Sequence, residues 1–217
     1  MPLRVLLAST SPARLMLLRQ AGIEPETQAP DVDEEAVIAA VEAGEGRTLA
    51  PDEHVLLLAR RKAAAVTAVV EADDPAFDGI VIGGDSMFEI DGEILGKPYT
   101  PEAATARWHQ MRGRTGVLHS GHSVVRLSPG RPPQEAHAVA AASVTFAADV
   151  TDGEVAAYVA TGEPLLVAGA FTVDSLGGAF ITRVEGDPST VVGMSLSTLR
   201  QLCRQLDVTW TDLWDVS

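Results

Sequence analysis

The chain has 217 residues, enough to bury one substantial core and too few for several independent domains of ordinary size. With 16 Lys and Arg against 30 Asp and Glu, its formal charge of −14 argues against tracking along a nucleic acid polymer or lying on an anionic membrane by charge. Any phosphate site must therefore be a local gathering of cations. The single cysteine, Cys203 in LRQLCRQL, reads as core filler, and without a second cysteine it gives no sign of an oxidising compartment. The first residues lack the apolar stretch and cleavage pattern of a signal peptide, and no run is long enough to span a membrane, so a soluble cytoplasmic protein is expected.

Taken in order, Leu3–Ala8 is a short apolar strand, and Ser9-Thr10-Ser11-Pro12 turns into a helix with Ser11 as N-cap and Pro12 at the first position. Leu15, Leu18 and Ala21 would form its core face, with Gly22 closing it. Arg14 is out of place, because a cation in the first turn opposes the helix dipole. A bound anion would resolve the conflict, and strand, hydroxyl-bearing turn, helix start and arginine together suggest a phosphate cradle; an ordinary capped helix with a solvated arginine is the alternative.

Glu24–Ala29 suggests a second strand, leading to the acidic cluster Asp31-Val32-Asp33-Glu34-Glu35. These acids suit the first turn of the next helix and equally suit oxygen ligation of Mg²⁺. Ala43–Thr48 breaks that pattern, and Pro51 opens a long helix to about Ala72, in which Val55, Leu58, Ala59 and Lys62 share one side. Lys62 thus lies at the edge of a core stripe, while Arg60 and Arg61 point elsewhere.

The stretch Gly79–Pro98, GIVIGGDSMFEIDGEILGKP, reads as a buried strand running through Gly83-Gly84 into Asp85, then a hairpin turning at Asp91-Gly92. Pairing Ile90 with Glu93 sets Phe88 opposite Leu95 and Ser86 opposite Lys97, bringing Asp85 and Lys97 toward one open end. Thr100–Met111 is a helix ended by Gly113. Gly116–Leu127 and Glu135–Phe146 are long strands joined by a Pro- and Gly-rich turn. Asp149–Tyr158 is a helix, Phe180–Val184 a strand, Glu185–Thr190 a loop and Val191–Leu206 a closing helix, followed by Trp210 and Trp214 in a packed terminal segment. There is no GxGxxG, GxxxxGK[ST], HExxH or GxSxG motif, and His119 and His122 fall on opposite faces of a strand, which is no arrangement for a shared metal.

LASTSPARLMLLRQAGI (Leu7–Ile23), DVDEE (Asp31–Glu35), LARRKA (Leu58–Ala63), IGGDSM with GEILGKP (Ile82–Pro98), GHSV (Gly121–Val124), EPLLVAGAF (Glu163–Phe171) and EGDPSTVVGMSL (Glu185–Leu196) stand in the order found in the Maf-like nucleotide pyrophosphatases, the septum formation inhibitor proteins. The chain resembles that family over nearly its whole length. The resemblance implies a single α/β domain with a mixed sheet and two lobes around a deep cleft, similar to inosine-triphosphate pyrophosphatases, and often a homodimer. It implies hydrolysis of a nucleoside triphosphate to the monophosphate and pyrophosphate with a divalent cation, Mg²⁺ or Mn²⁺. By position, Asp85 becomes the catalytic carboxylate, Ser9, Arg14, Asp33, Lys62 and Lys97 the substrate-binding residues, and Asp85, Asp33 and Glu34 the metal ligands.

Those residue types suit the chemistry, since a polyphosphate needs its charge offset before water attacks. The chain departs from the family in two places: Ala13 precedes Arg14 where members carry paired arginines, and Asp174 follows the AGAF motif where some carry glutamine. DSLGG and GDPSTVVG are closer to the branch acting on methylated guanine nucleotides, and base preference is left open. A nucleotide-binding regulator of cell division without turnover is the alternative function.

Overall fold

The computed structural model describes residues 3–215. In chain order the elements are β1 (Arg4–Ala8), α1 (Pro12–Gln20), β2 (Glu26–Thr27), α2 (Glu34–Glu45), α3 (Pro51–Asp73), β3 (Gly79–Ile90), β4 (Glu93–Leu95), α4 (Pro101–Met111), β5 (Thr115–Leu127), β6 (Gln134–Phe146), α5 (Asp152–Ala160), β7 (Ile181–Glu185), α6 (Pro188–Val192) and α7 (Leu196–Gln205), with short 3₁₀ turns after α5 and α7. The strands form one mixed sheet of order β2-β1-β3-β5-β6-β7, with β4 paired to β3, so the α/β class expected from the sequence holds. Among the described residues no helix is long and apolar enough to cross a membrane. The chain resolves into two compact units. One holds the residues through Asp85, Ser120–Ala140 and the chain from Gly193; the other holds Ser86–His119 and Ala141–Val192.

In the first unit β1 lies between two parallel neighbours, in register Leu6–Glu26 with β2 and Arg4–Gly79 through Ala8–Gly83 with β3. A strand paired on both sides in parallel is covered on both faces, which is why Val5–Ala8 reads as an unbroken apolar run and is buried. On α3, Val55, Leu58, Ala59, Lys62, Ala63, Val66 and Val70 recur at helical spacing and are all buried, as the stripe in the sequence foretold. Two glycines let this helix lie directly on strand backbone. A Cβ at Gly83 would stand 2.3 Å from the Ala59 carbonyl oxygen, and one at Gly121 would stand 2.2 Å from that of Val55.

The second unit is held by edge-to-face aromatic contacts. Phe88, Trp108, Phe146, Tyr158 and Phe171 pack at centroid separations such as 5.0 Å for Phe88–Phe171 and 5.6 Å for Trp108–Phe146. The buried indole N–H of Trp108 donates to the Ala170 carbonyl at 2.8 Å. The hairpin turns where expected, with Asp91 (φ 53°) and Gly92 (φ 77°) both left-handed, and its register Ile90–Glu93, Phe88–Leu95 matches the sequence reading. The ladder ends there, however. The Gly96 carbonyl accepts from the Gly169 N–H at 3.3 Å and from the Arg107 guanidinium, so the expected opposition of Ser86 and Lys97 is not part of the sheet.

Other elements differ from expectation for local reasons. α5 starts at Asp152 rather than Asp149, because Thr151 and Glu154 form a reciprocal capping box. The single closing helix is instead two, α6 and α7, parted at Gly193 (φ 119°), with Ser195 capping the second. On α1 the fully buried residues are Leu17 and Leu18, and Leu15 is only partly covered. Near the end it is Leu213 that is buried, while Trp214 remains exposed. Cys203 is core filler as expected, and burial pushes its thiol pKa up to about 12.

Because the clashing partners at Gly83 and Gly121 are backbone atoms, neither can give way as a side chain tip would. Replacing either glycine by alanine is expected to lower stability by about 2–3 kcal/mol or more, read as a fall in the chemical denaturation midpoint. A midpoint equal to that of the native sequence would mean that α3 does not need this close approach.

Candidate active site

All the contacts of the candidate site described below lie within the first unit. β1 leads directly into Ser9, which is buried and accepts the Ser11 N–H on its hydroxyl at 3.1 Å. Ser11 caps α1 by accepting the Arg14 N–H at 3.4 Å, with Pro12 in the first turn, as the sequence signalled. This sets Arg14 in the opening turn, where its Nη1 donates to Ser9 Oγ at 3.3 Å and its Nε to the Gly193 carbonyl at 2.9 Å. Burial lowers the pKa of Arg14, and the negative charges of Asp85 and Glu34 work against that. An arginine remains charged under such a shift, so a cation is held at a helix start that itself attracts anions.

Lys62 comes from α3, with only 8 % of its surface exposed. Its Nζ lies 2.7 Å from Asp85 Oδ1 and 2.8 Å from Glu34 Oε1. A buried ammonium requires such pairing, and two carboxylates supply it here. Asp85 follows Gly83 and Gly84 on β3, and Glu34 opens α2. Gly84 leaves space for its neighbours: a Cβ there would stand 3.3 Å from Met194 Cε and 3.4 Å from Arg14 Nε.

The predicted residues Ser9, Arg14, Lys62 and Asp85 are thus linked by contacts or by charge, with Glu34 as the second partner of Lys62. Asp33 does what the capping alternative foresaw: its Oδ1 accepts the Ala36 N–H at 3.0 Å as N-cap of α2. Lys97 is exposed and belongs to the second unit, two residues beyond β4. Sequence reasoning did not single out the Gly193 carbonyl. The only signal for it was a glycine inside a stretch otherwise patterned as helix.

The EPLLVAGAF motif serves a second carboxylate. Glu163 accepts from Tyr158 Oη at 2.9 Å, Ser175 Oγ at 2.8 Å, the Gly177 N–H at 3.1 Å, the Leu176 N–H at 3.3 Å and the Thr172 hydroxyl. Partial burial would by itself raise its pKa, but these donors outweigh that and hold it at about 2. The network ties the loop from Gly162 to Gly177 to α5.

A parallel strand leading into a hydroxyl-bearing turn, and an arginine and a lysine set against two carboxylates just past the β1–β3 ladder, define a mixed α/β protein with a compact charge cluster. The model of the Maf-like protein family matches residues 4–206, and the chain belongs to that family. A protein of Leifsonia xyli subsp. xyli called nucleoside triphosphate pyrophosphatase is 59% identical over 213 residues, 98% of this chain and 97% of that protein. One of the same name from Salinispora tropica is 52% identical over 215 residues, 99% of this chain and 88% of that protein. Among solved structures, a nucleoside-triphosphatase / dITP/XTP pyrophosphatase of Mycobacterium abscessus covers 94% of each chain at 10% identity and a TM-score of 0.32, too low a score to add to the fold assignment.

A carboxyl whose pKa falls from 4.5 to about 2 on folding stabilises the fold above the unfolded value and loses that contribution as pH drops through the folded one. Glu163→Gln is therefore expected to cost about 1–3 kcal/mol at neutral pH, with the gap to the native sequence closing between about pH 4.5 and 2. Urea denaturation of both proteins across that range reads it. A constant gap would mean that the charge is not what holds the loop.

Proposed function

We propose that this chain is a nucleoside triphosphate pyrophosphatase that hydrolyses the bond between the α- and β-phosphates, releasing the nucleoside monophosphate and pyrophosphate. The observation that carries this reading is the Lys62 ammonium held between Asp85 and Glu34, electrostatically coupled to an arginine at a helix start, in a chain that is otherwise strongly acidic. The name of its full-length relatives supports the same reading.

Arg14 offers a planar fork to phosphate oxygens, with the Ser9 hydroxyl beside it. Lys62 supplies a point charge that turns from a carboxylate toward phosphate. Asp85 orients the attacking water and takes its proton as the bond from phosphorus to the bridging oxygen breaks. Lys97 is retained as a further phosphate contact on the strength of its GKP motif alone.

The donor set fits a hard divalent cation. Asp85 and Glu34 each present one oxygen to the same ammonium and keep a second, and Asp33 caps its helix through only one of its two oxygens. Among the described residues no group of three His, Cys, Asp or Glu gathers to form a closed cage. Mg²⁺ is ordinarily held by one or two carboxylates, with phosphates and water completing the shell. Bound there, Mg²⁺ or Mn²⁺ would neutralise phosphate charge and acidify a water molecule.

In this reading both units serve one Maf-like domain acting on a cytoplasmic nucleotide pool, and the protein is a homodimer, which sedimentation would check. Base preference is settled by a panel of normal and modified triphosphates with Mg²⁺ or Mn²⁺, assayed for pyrophosphate. Asp85→Asn is expected to lower kcat about 10²- to 10⁴-fold, and chelation of the divalent cation to abolish turnover. Equal turnover by the native protein and Asp85→Asn would remove Asp85 from the mechanism. Saturable nucleotide binding without any turnover would favour the non-catalytic regulator instead.

A further inference from the structure

The peptide from Gly193 to Ser195 is anchored within the first unit through its backbone and side chains. The Gly193 carbonyl accepts from Arg14 Nε at 2.9 Å, and the wholly buried Met194 side chain reaches Gly84 on β3. The Ser195 N–H donates to His122 Nε2 at 2.8 Å, a bond joining residues 73 apart in the chain. His122 is itself fully buried on β5 between Gly121, whose backbone lies against α3, and the buried Ser123. Toward the Ser195 N–H the imidazole Nε2 acts as the acceptor. Gly193 has φ 119°, a conformation open to glycine but rarely to other residues, and in it the carbonyl faces the guanidinium.

We propose that His122 is a positioning residue for Arg14: by holding the Ser195 amide it fixes the peptide whose Gly193 carbonyl aims the guanidinium. No contact of His122 with substrate is implied. The inference rests on the reading of Arg14 as a phosphate contact. A histidine with only a packing role would affect folding alone. A histidine that aims Arg14 also affects how firmly the triphosphate is held.

The test compares steady-state kinetics of pyrophosphate release and thermal midpoints for the full-length native protein, His122→Leu, His122→Asn, His122→Gln, Arg14→Ala and the Arg14→Ala/His122→Leu double variant. Leucine fills the space without an acceptor. Asparagine is polar but too short to place its oxygen where Nε2 stands, and it keeps the test available if the leucine protein does not fold. Glutamine carries an amide oxygen at about the right reach. Expected is a KM about tenfold higher in His122→Leu and His122→Asn with kcat changed less than about threefold, and KM restored to within about threefold in His122→Gln. The double variant should be no worse than Arg14→Ala alone, because both changes remove one linkage.

The proposal is overturned if the acceptor-free variants lose thermal stability but keep the native KM, or if the losses add in the double variant. If Arg14→Ala itself leaves KM unchanged, the phosphate reading of Arg14 fails, and the aiming role falls with it. A raised KM in Arg14→Ala with a native KM in His122→Leu and His122→Asn overturns the positioning role alone.

Discussion

Everything in the first unit follows from how closely α3 lies on the strands beneath it. At Gly83 and Gly121 the helix backbone comes so near that a single methyl group has no room. That contact seats the apolar stripe of α3 and, in the same turn as Ala59 and Ala63, places Lys62 beside Asp85 in the middle of β3. A lysine in such a position must have its charge met, and Asp85 and Glu34 meet it. The same packing that makes the core therefore dictates where the charges gather.

The cluster also shows how a strongly acidic chain can offer cations to an anion. Arg14 is partly buried at the helix start, where it meets the Gly193 carbonyl and the Ser9 hydroxyl and feels the charges of Asp85 and Glu34. Arg4, Arg19, Arg47, Arg60 and Arg114 stand instead in exposed ion pairs. Such exposed pairs contribute little to stability. They do leave the arginine at the helix start distinct from its exposed counterparts.

Much of this was legible in the chain because the informative signals were conflicts between neighbouring rules. Arg14 stood out as a cation in the wrong turn of a helix, and Lys62 as a charge on an apolar stripe. The Asp91-Gly92 hairpin was legible because both central residues need left-handed backbone. What escaped was non-local or turned on one residue of register. Whether Asp33 or Glu34 faces Lys62 depends on which of them caps α2, and an acidic run suits either. The break at Gly193 was masked by helical spacing on both sides. Neither the spacing of His122 from His119 nor its place in GHSV reveals its partner, a backbone amide far along the chain. The opposition of Lys97 and Ser86 extends a ladder that stops at Leu95.

Under the proposed phosphate role of Lys62, its pairing bears on how an anion would be received. Its ammonium is satisfied before any ligand arrives, so an incoming phosphate oxygen must take over from a carboxylate instead of meeting a bare charge. Association would then be an exchange of counter-ions on one cation, and the net attraction the difference between two pairings. A singly charged anion gains little from such an exchange, since it merely replaces like with like. A polyphosphate, with several charges spread over adjacent oxygens, can displace the carboxylate and reach Arg14 at once. In the proposed phosphate role of Lys62, the resting ion pair would act as a threshold that favours ligands of high charge density over the abundant monovalent anions around them.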